Sequence, residues 1–328
     1  MKKALVIRYG AIGDHIMASS LLPYLKADGF QVYYQYTMAG KNILRGNPHV
    51  DVFLKHDESI PHSDLPRYWD RLASGYDRVV NLSESIERRL LLFQQDRERY
   101  ELPQAERQAL GHKNYYEETV RCGGYEPVGP VRGELFFSPA QTAWARSFMR
   151  RLRGTRVILW VLSGSAVHKA YPHAEQVGLG TLARHNNAVI VTVGDELCQL
   201  LEWNHPRTIN KAGRWPLWKS LIMTRYAHLV IGGETGVMNA AGCFDTPKIC
   251  LLSHSSKENL TKHWVNDFSI SSPAACSPCH RMIYDAWAQC PKRHPVTRAT
   301  PCMDLIDPRM VVETIDRVLS NYGEGRRQ

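Results

Sequence analysis

Short β-rich runs alternate with helical patterns along almost the whole chain, and the alternation breaks only once. ALVIRY (Ala4–Tyr9) reads as a buried strand. It is followed by a helix whose apolar side includes Ile16, Met17, Leu21, Tyr24 and Leu25, and which stops around Gly29. Val32–Tyr36, Val52–Leu54 and Arg78–Leu82 read as further strands, and Ile86 to Gln95 as a helical stretch rich in Arg and Leu. The segment Arg97–Tyr125 is polar and irregular. Tyr125–Pro139 carries three prolines and two glycines and reads as a linker. The pattern then restarts with strands at Val157–Leu162, Ala188–Val193, Ala227–Ile231 and Lys248–Leu252, and ends in an amphipathic helix at Pro308–Tyr322. Two blocks of strand–helix alternation predict an α/β chain of two doubly wound, Rossmann-like halves facing each other across a cleft, residues 1–135 and 136–328.

At 328 residues the chain is long enough for two cores, and 44% hydrophobic with 22% charged residues is an ordinary globular balance. The apolar run after Met1–Lys3 is too short for a signal peptide, and no 18-residue apolar run occurs. The expectation is a soluble cytoplasmic protein. A net charge of +9 favours anionic partners, whether phosphates, nucleic acid or the inner face of a membrane. The charge is dispersed, however. The chain lacks a basic helix beside its cysteines and an interleaved aromatic–basic platform, which argues against a nucleic-acid-binding protein.

In doubly wound sheets ligands bind beyond the carboxyl ends of strands, so the residues following each strand are the candidates for chemistry. Gly10-Ala11-Ile12-Gly13-Asp14 follows the first strand. It matches neither G-x-G-x-x-G nor a P-loop, and Asp14 is either an N-cap or a carboxylate pointing into the cleft. Ser163-Gly164-Ser165, with Lys169 four residues on, offers hydroxyl and backbone donors and a point charge for a phosphate. Gly194-Asp195-Glu196 supplies an acid for a ribose. Gly232–Gly236, with Glu234 and Thr235, opens a small-residue helix containing Asn239 and is a candidate diphosphate seat. The convergence of three such sites in the second half favours nucleotide binding.

The motifs GxxGDxxxxSxLLPxLK (from Gly10), NPxVD (Asn47–Asp51), KxYP (Lys169–Pro172) and GxETGxxNAAG (Gly232–Gly242) stand in this order over residues 3 to 265. Together they resemble glycosyltransferase family 9, the ADP-heptose:lipopolysaccharide heptosyltransferases. The resemblance implies a GT-B fold and an inverting transfer of heptose or a similar sugar from an ADP-heptose-like nucleotide sugar. The acceptor would be a saccharide of lipopolysaccharide or another surface glycan, lipid-linked, with peripheral contact at the inner membrane face. It implies that Asp14 is the general base and that Lys169, Thr235 and Gly236 hold the diphosphate, with Gly13, Ser163, Ser165, Glu196, Glu234 and Asn239 around the donor. It implies no divalent metal for catalysis, and the chain contains no Asp-x-Asp. Glu234 stands where the family pattern DTGxxH has Asp, Asn239 where it has His, and SGSAVH replaces a TSR-like segment. On the acceptor side Glu84, Arg88 and Arg89 follow a strand and would meet an anionic saccharide, or else form a solvated basic face.

CSPCHRMIYDAWAQCPKRHPVTRATPC (276–302) gathers Cys276, Cys279, Cys290 and Cys302, four of the eight cysteines. In a reducing compartment such spacing fits a structural Cys₄ metal, zinc or iron, with a disulfide pair or free thiols as the alternative. Protein-modifying relatives, the autotransporter heptosyltransferases, carry a C-terminal four-cysteine iron site with longer spacing. That likeness opens protein O-glycosylation as the alternative function and an oligomer contact at this loop.

Overall fold

The computed structural model describes residues 1–36, 38–83, 103–280 and 290–322. The helix expected from Ile86 and the acceptor candidates Glu84, Arg88 and Arg89 lie outside the described residues.

In the first half, β1 (Lys3–Arg8), β2 (Gln31–Tyr36), β3 (Val52–Lys55) and β4 (Arg78–Asn81) form a parallel sheet in the order β3-β2-β1-β4. β1 is central, and Ala4, Leu5, Val6 and Ile7 are fully buried, as a strand covered on both faces must be. The single helix expected after β1 is two helices, α1 (Ile12–Ser19) and α2 (Leu22–Ala27). Pro23 has no N–H to return to the Ser19 carbonyl. The hydroxyls of Ser19 and Ser20 instead donate to the carbonyls of Ile16 (2.6 Å) and Met17 (2.7 Å), which competes with the helical ladder. Helices α3 (Met38–Leu44) and α4 (Leu65–Ala73) connect the remaining strands.

The stretch expected to be irregular holds two helices, α5 (Gln104–Gly111) and α6 (Tyr115–Cys122). Its polar composition is misleading because these helices bury polar side chains against the second half. Asn114 caps α6, its Oδ1 accepting from the backbone N–H groups of Tyr116 and Glu117, while its Nδ2 donates to the Glu258 carbonyl at 3.0 Å. Asn259 Nδ2 donates to the carbonyls of Gly111 and Lys113, and His263 and Lys262 both meet Glu117, at 2.8 and 3.1 Å. α5 reaches the cysteine loop. Gln104, Arg107 and Gln108 donate to the main-chain carbonyls of Ala275, Cys279 and Pro278.

The second half starts with α7 (Pro139–Arg151), whose capping box at Ser138 and Gln141 fixes where the linker ends. β5 (Arg156–Val161), β6 (Ala188–Val193), β7 (Thr208–Asn210), β8 (Leu229–Gly233), β9 (Lys248–Leu252) and β10 (Ile270–Ser271) form a parallel sheet in the order β10-β9-β8-β5-β6-β7. Helices α8 (Ala174–Arg184), α9 (Leu217–Tyr226), α10 (Gly236–Gly242), α11 (Pro301–Asp304) and α12 (Pro308–Tyr322) cover it. β7 is three half-buried residues, too short for its pattern to stand out in the sequence. In both sheets the chain turns back at the central strand. The switch points therefore lie between β1 and β4 and between β5 and β8.

The halves share one apolar core. Val6, Ile16 and Tyr34 from the first belong to the same buried cluster as Val191, Val230, Met238 and Cys250 from the second. At its edge the start of α1 meets the start of α10. A Cβ on Gly236 would lie 2.5 Å from Ile12 Cβ, and one on Gly13 would lie 2.9 Å from Asn239 Nδ2, so both positions require glycine for close approach. Buried Tyr116 donates its hydroxyl to Asn239 Oδ1 at 2.7 Å, linking α6 to α10. Tyr116→Phe leaves that oxygen without its donor. It should lower stability by about 1–3 kcal/mol, read as a shift in the urea midpoint.

Candidate active site

A cavity of about 780 Å³ opens between the halves at the two switch points. Asp14, Lys169, Glu196 and Thr235, from four different strand ends, all line it. That volume is within the ordinary range for a small-ligand site.

Asp14 is the third residue of α1; it is not the N-cap, which is Ala11, but reaches back to the N-cap backbone while facing the cavity. Its Oδ2 accepts from the Ala11 backbone N–H at 2.6 Å, while Oδ1 takes a 2.6 Å ion pair from Arg8 Nη2 and the side chain stays partly exposed to the cavity. Gly10, at φ +117°, makes the fold-back possible, since a Cβ there would lie 2.6 Å from Asp14 Oδ2. Desolvation would raise the Asp14 carboxyl. The Arg8 charge and the Ala11 and Arg8 hydrogen bonds outweigh it and hold the group below the usual carboxylate range. Arg8 itself is buried and donates to the Leu82 carbonyl beyond β4, so the Asp14 carboxylate is anchored across the switch point. Neighbouring His15 is buried, pushed down to about 4 mainly by desolvation, and bonded through Nδ1 to Tyr34.

Opposite, Ser163, Gly164 and Ser165 follow β5, and Lys169 Nζ lies 3.3 Å from Ser165 Oγ. Burial pushes the Lys169 ammonium down, against the raising pull of Glu234 and Asp14. The lysine therefore feels both acids. Thr235 caps α10, its hydroxyl oxygen accepting from Met238 N–H at 3.3 Å, and Gly236 lines the cavity beside it. Glu196 lines the far end beyond β6, exposed, its carboxylate without a hydrogen bond among the described residues. Beside it are Trp215 and Leu217, which sequence reasoning missed. The WPLW run at 215–218 was the available signal, and Trp215 is held edge-on by Trp144 and Phe148 at 5.3 and 5.2 Å.

Glu234 and Asn239 line the cavity with their polar groups committed to the protein. Glu234 Oε1 accepts from Ser255 N–H at 2.7 Å. Its Oε2 accepts from the Ser253 hydroxyl, from His254 N–H, and from His254 Nδ1 at 2.6 Å. Desolvation would raise the Glu234 carboxyl, but His254, Ser253 and the nearby His168 hold it far below its ordinary value. Asn239 accepts from Tyr116, as above, and donates from Nδ2 to the Thr235 carbonyl at 3.1 Å. His254, Ser255 and Tyr115 also line the cavity, with no motif in the sequence to single them out.

All eight cysteines are free thiols. Cys302 is buried and its thiol is pushed up to about 12, mainly by desolvation. Thr300 opposes this, and the charges of Glu234, Cys279 and Cys290 add to it. Among the described residues no group of three or more His, Cys, Asp or Glu side chains closes into a metal-holding set. The donor chemistry suits a thiolate-bound ion, although the described residues do not form a closed cage.

No family model and no curated protein sequence matches the chain. Solved structures do. The chain is similar to the E. coli ADP-heptose lipopolysaccharide heptosyltransferase II, at 16% identity and TM-score 0.66 over 97% of this chain and 98% of that one. It is also similar to a family 9 glycosyl transferase from Veillonella parvula, at 14% identity and TM-score 0.67 over 97% of each chain. The iron-containing dodecameric glycosyltransferase TibC from enterotoxigenic E. coli aligns at 13% identity and TM-score 0.64, over 98% of this chain and 77% of that one. The two facing parallel sheets are the GT-B fold, in the form that the family 9 heptosyltransferases take.

Proposed function

We propose that the protein is an inverting glycosyltransferase that moves a sugar from a nucleoside-diphospho-sugar to a saccharide acceptor of a surface glycan. One observation carries this reading: an ionised, anchored carboxylate, Asp14, faces a lysine and hydroxyl cradle, Lys169 with Ser165 and Thr235, across a single cavity spanning both switch points. In the reaction the acceptor hydroxyl oxygen attacks the anomeric carbon from the face opposite the phosphate, and its proton passes to Asp14. The bond from the anomeric carbon to the phosphate oxygen breaks, and its electron pair leaves on the nucleoside diphosphate, where Lys169 offsets the charge. A single displacement inverts the anomeric centre. E. coli WaaC, whose fold this chain shares at 11% identity and TM-score 0.60, is solved with ADP, which supports an adenine nucleotide as the first donor to try. Glu234 and Asn239 depart from the family pattern beside the donor, so a thermal-shift panel of nucleotide sugars should assign the sugar. A protein acceptor is separated from a glycan acceptor by mass spectrometry of the product. No described helix is long and apolar enough to cross a membrane.

Asp14→Asn should lower transfer by about 10²–10⁴-fold while calorimetry still detects nucleotide binding; retained turnover would remove Asp14 from its role. Lys169→Ala should weaken both nucleoside diphosphate binding and turnover.

The pH dependence follows from the Arg8 pair. A depressed carboxyl stays ionised throughout the usual carboxylate range, so the acid limb of kcat/KM lies below that range. In Arg8→Gln the largest lowering influence is gone and desolvation is left, so the limb should move to higher pH. A limb that stays in place in the pH profile would show that Asp14 is not the titrating base.

We also propose a structural ion, zinc or iron, at Cys276, Cys279, Cys290 and Cys302, supported by the grouping of these four free thiols within residues 276–302 and by the iron-containing neighbour. Elemental analysis of the purified protein should find about one such ion per chain. Cys279→Ser should lose it and lower the thermal midpoint. A metal-free protein with the same midpoint would overturn the proposal.

A further inference from the structure

Strand order arranges the cavity along one line. The carboxyl ends of the second sheet run β7-β6-β5-β8-β9. Trp215 lies beyond β7, Glu196 beyond β6, Ser163 and Ser165 beyond β5, Thr235 beyond β8, and His254 beyond β9. A nucleoside-diphospho-sugar has its three parts in the same linear order. With the nucleoside at Glu196 and Trp215 and the diphosphate over the β5–β8 switch point, the sugar falls at the β8–β9 end. From β6 to β9 is a span of about 14 Å at the usual strand spacing.

Glu234 is the acid at that end, but both of its oxygens are saturated by Ser253, His254 and Ser255. What remains to meet a ligand is the His254 ring. Its Nδ1 is held at 2.6 Å by Glu234 Oε2, and its Nε2 has no hydrogen-bond partner among the described residues. The groups facing the ring are Glu234 after β8, His168 on the turn after β5 with ring centroids 4.8 Å apart, and His280 from the cysteine loop, which feels its charge. The ring is therefore fixed in place, with one nitrogen left over. A sugar hydroxyl both donates and accepts, so it matches that nitrogen whether the imidazole is neutral or charged.

We propose that His254, oriented by Glu234, reads a hydroxyl of the transferred sugar, which makes Glu234 a positioning residue rather than a direct sugar ligand. This rests on the glycosyltransferase reading above. The test is isothermal titration of the full chain, the wild type first, with ADP, ADP-heptose, UDP and UDP-glucose as probes. For the pair that the wild type binds, His254→Ala should weaken the sugar nucleotide about tenfold while the matching bare diphosphate keeps its affinity. His254→Gln, which restores a side-chain hydrogen-bonding group, should recover part of the loss. Glu234→Gln, which frees the ring, should show the same selective loss to a smaller degree. Equal loss for the diphosphate and the sugar nucleotide would mean that His254 reads the phosphates, and no loss for either would make the ring a spectator; each overturns the proposal. If His254→Ala fails to fold, as judged by its thermal midpoint, the comparison is made on His254→Gln against the wild type. A wild type that binds none of the four probes overturns the glycosyltransferase reading itself, before any variant is measured.

Discussion

The meeting of α1 and α10 across the cleft is the contact on which the rest of the site depends. Gly13 and Gly236 let the two helix starts approach until side-chain atoms would collide, and this brings Asp14 of one half and Thr235 of the other onto a single cavity. The shared apolar core beneath them and the Tyr116–Asn239 hydrogen bond beside them hold that approach. A larger residue at either glycine would wedge the halves apart, leaving Asp14 and Thr235 on separate walls.

The charges are arranged with the same economy of position. Arg8 ties Asp14 to the end of β4, and Lys169 responds to Asp14 and Glu234 together. Asp14 has Arg8, Glu234 has His254, and Lys169 has both acids in reach, which offsets the desolvation that burial imposes.

Much of this was legible in the sequence. Continuous apolar runs such as ALVIRY and Ala188–Val193 can only be doubly covered strands, and parallel strands place chemistry at their ends, so Asp14, Lys169 and Thr235 could be named before the fold was known. What stayed hidden depends on contacts between distant segments. No motif marks His254 as the partner of Glu234, because that pair forms only when β8 and β9 align, and although Arg8 lies only six residues from Asp14, its burial and its hold on Leu82 depend on β4. α5 and α6 escaped for the opposite reason. Their polar residues read as loop, although Asn114, Glu117 and, facing them, Asn259 are polar precisely where they bind the other half.

The grip of α5 on the cysteine loop has an evolutionary reading. Gln104, Arg107 and Gln108 take hold of carbonyl oxygens of the main chain at Ala275, Cys279 and Pro278, not of side chains. Every residue type presents a carbonyl, so the loop can exchange most of its side chains without releasing the helix. One substitution among the three α5 donors would begin to undo the joint, whereas a loop substitution that keeps the backbone path, other than at His280 beside His112, would leave these three bonds in place.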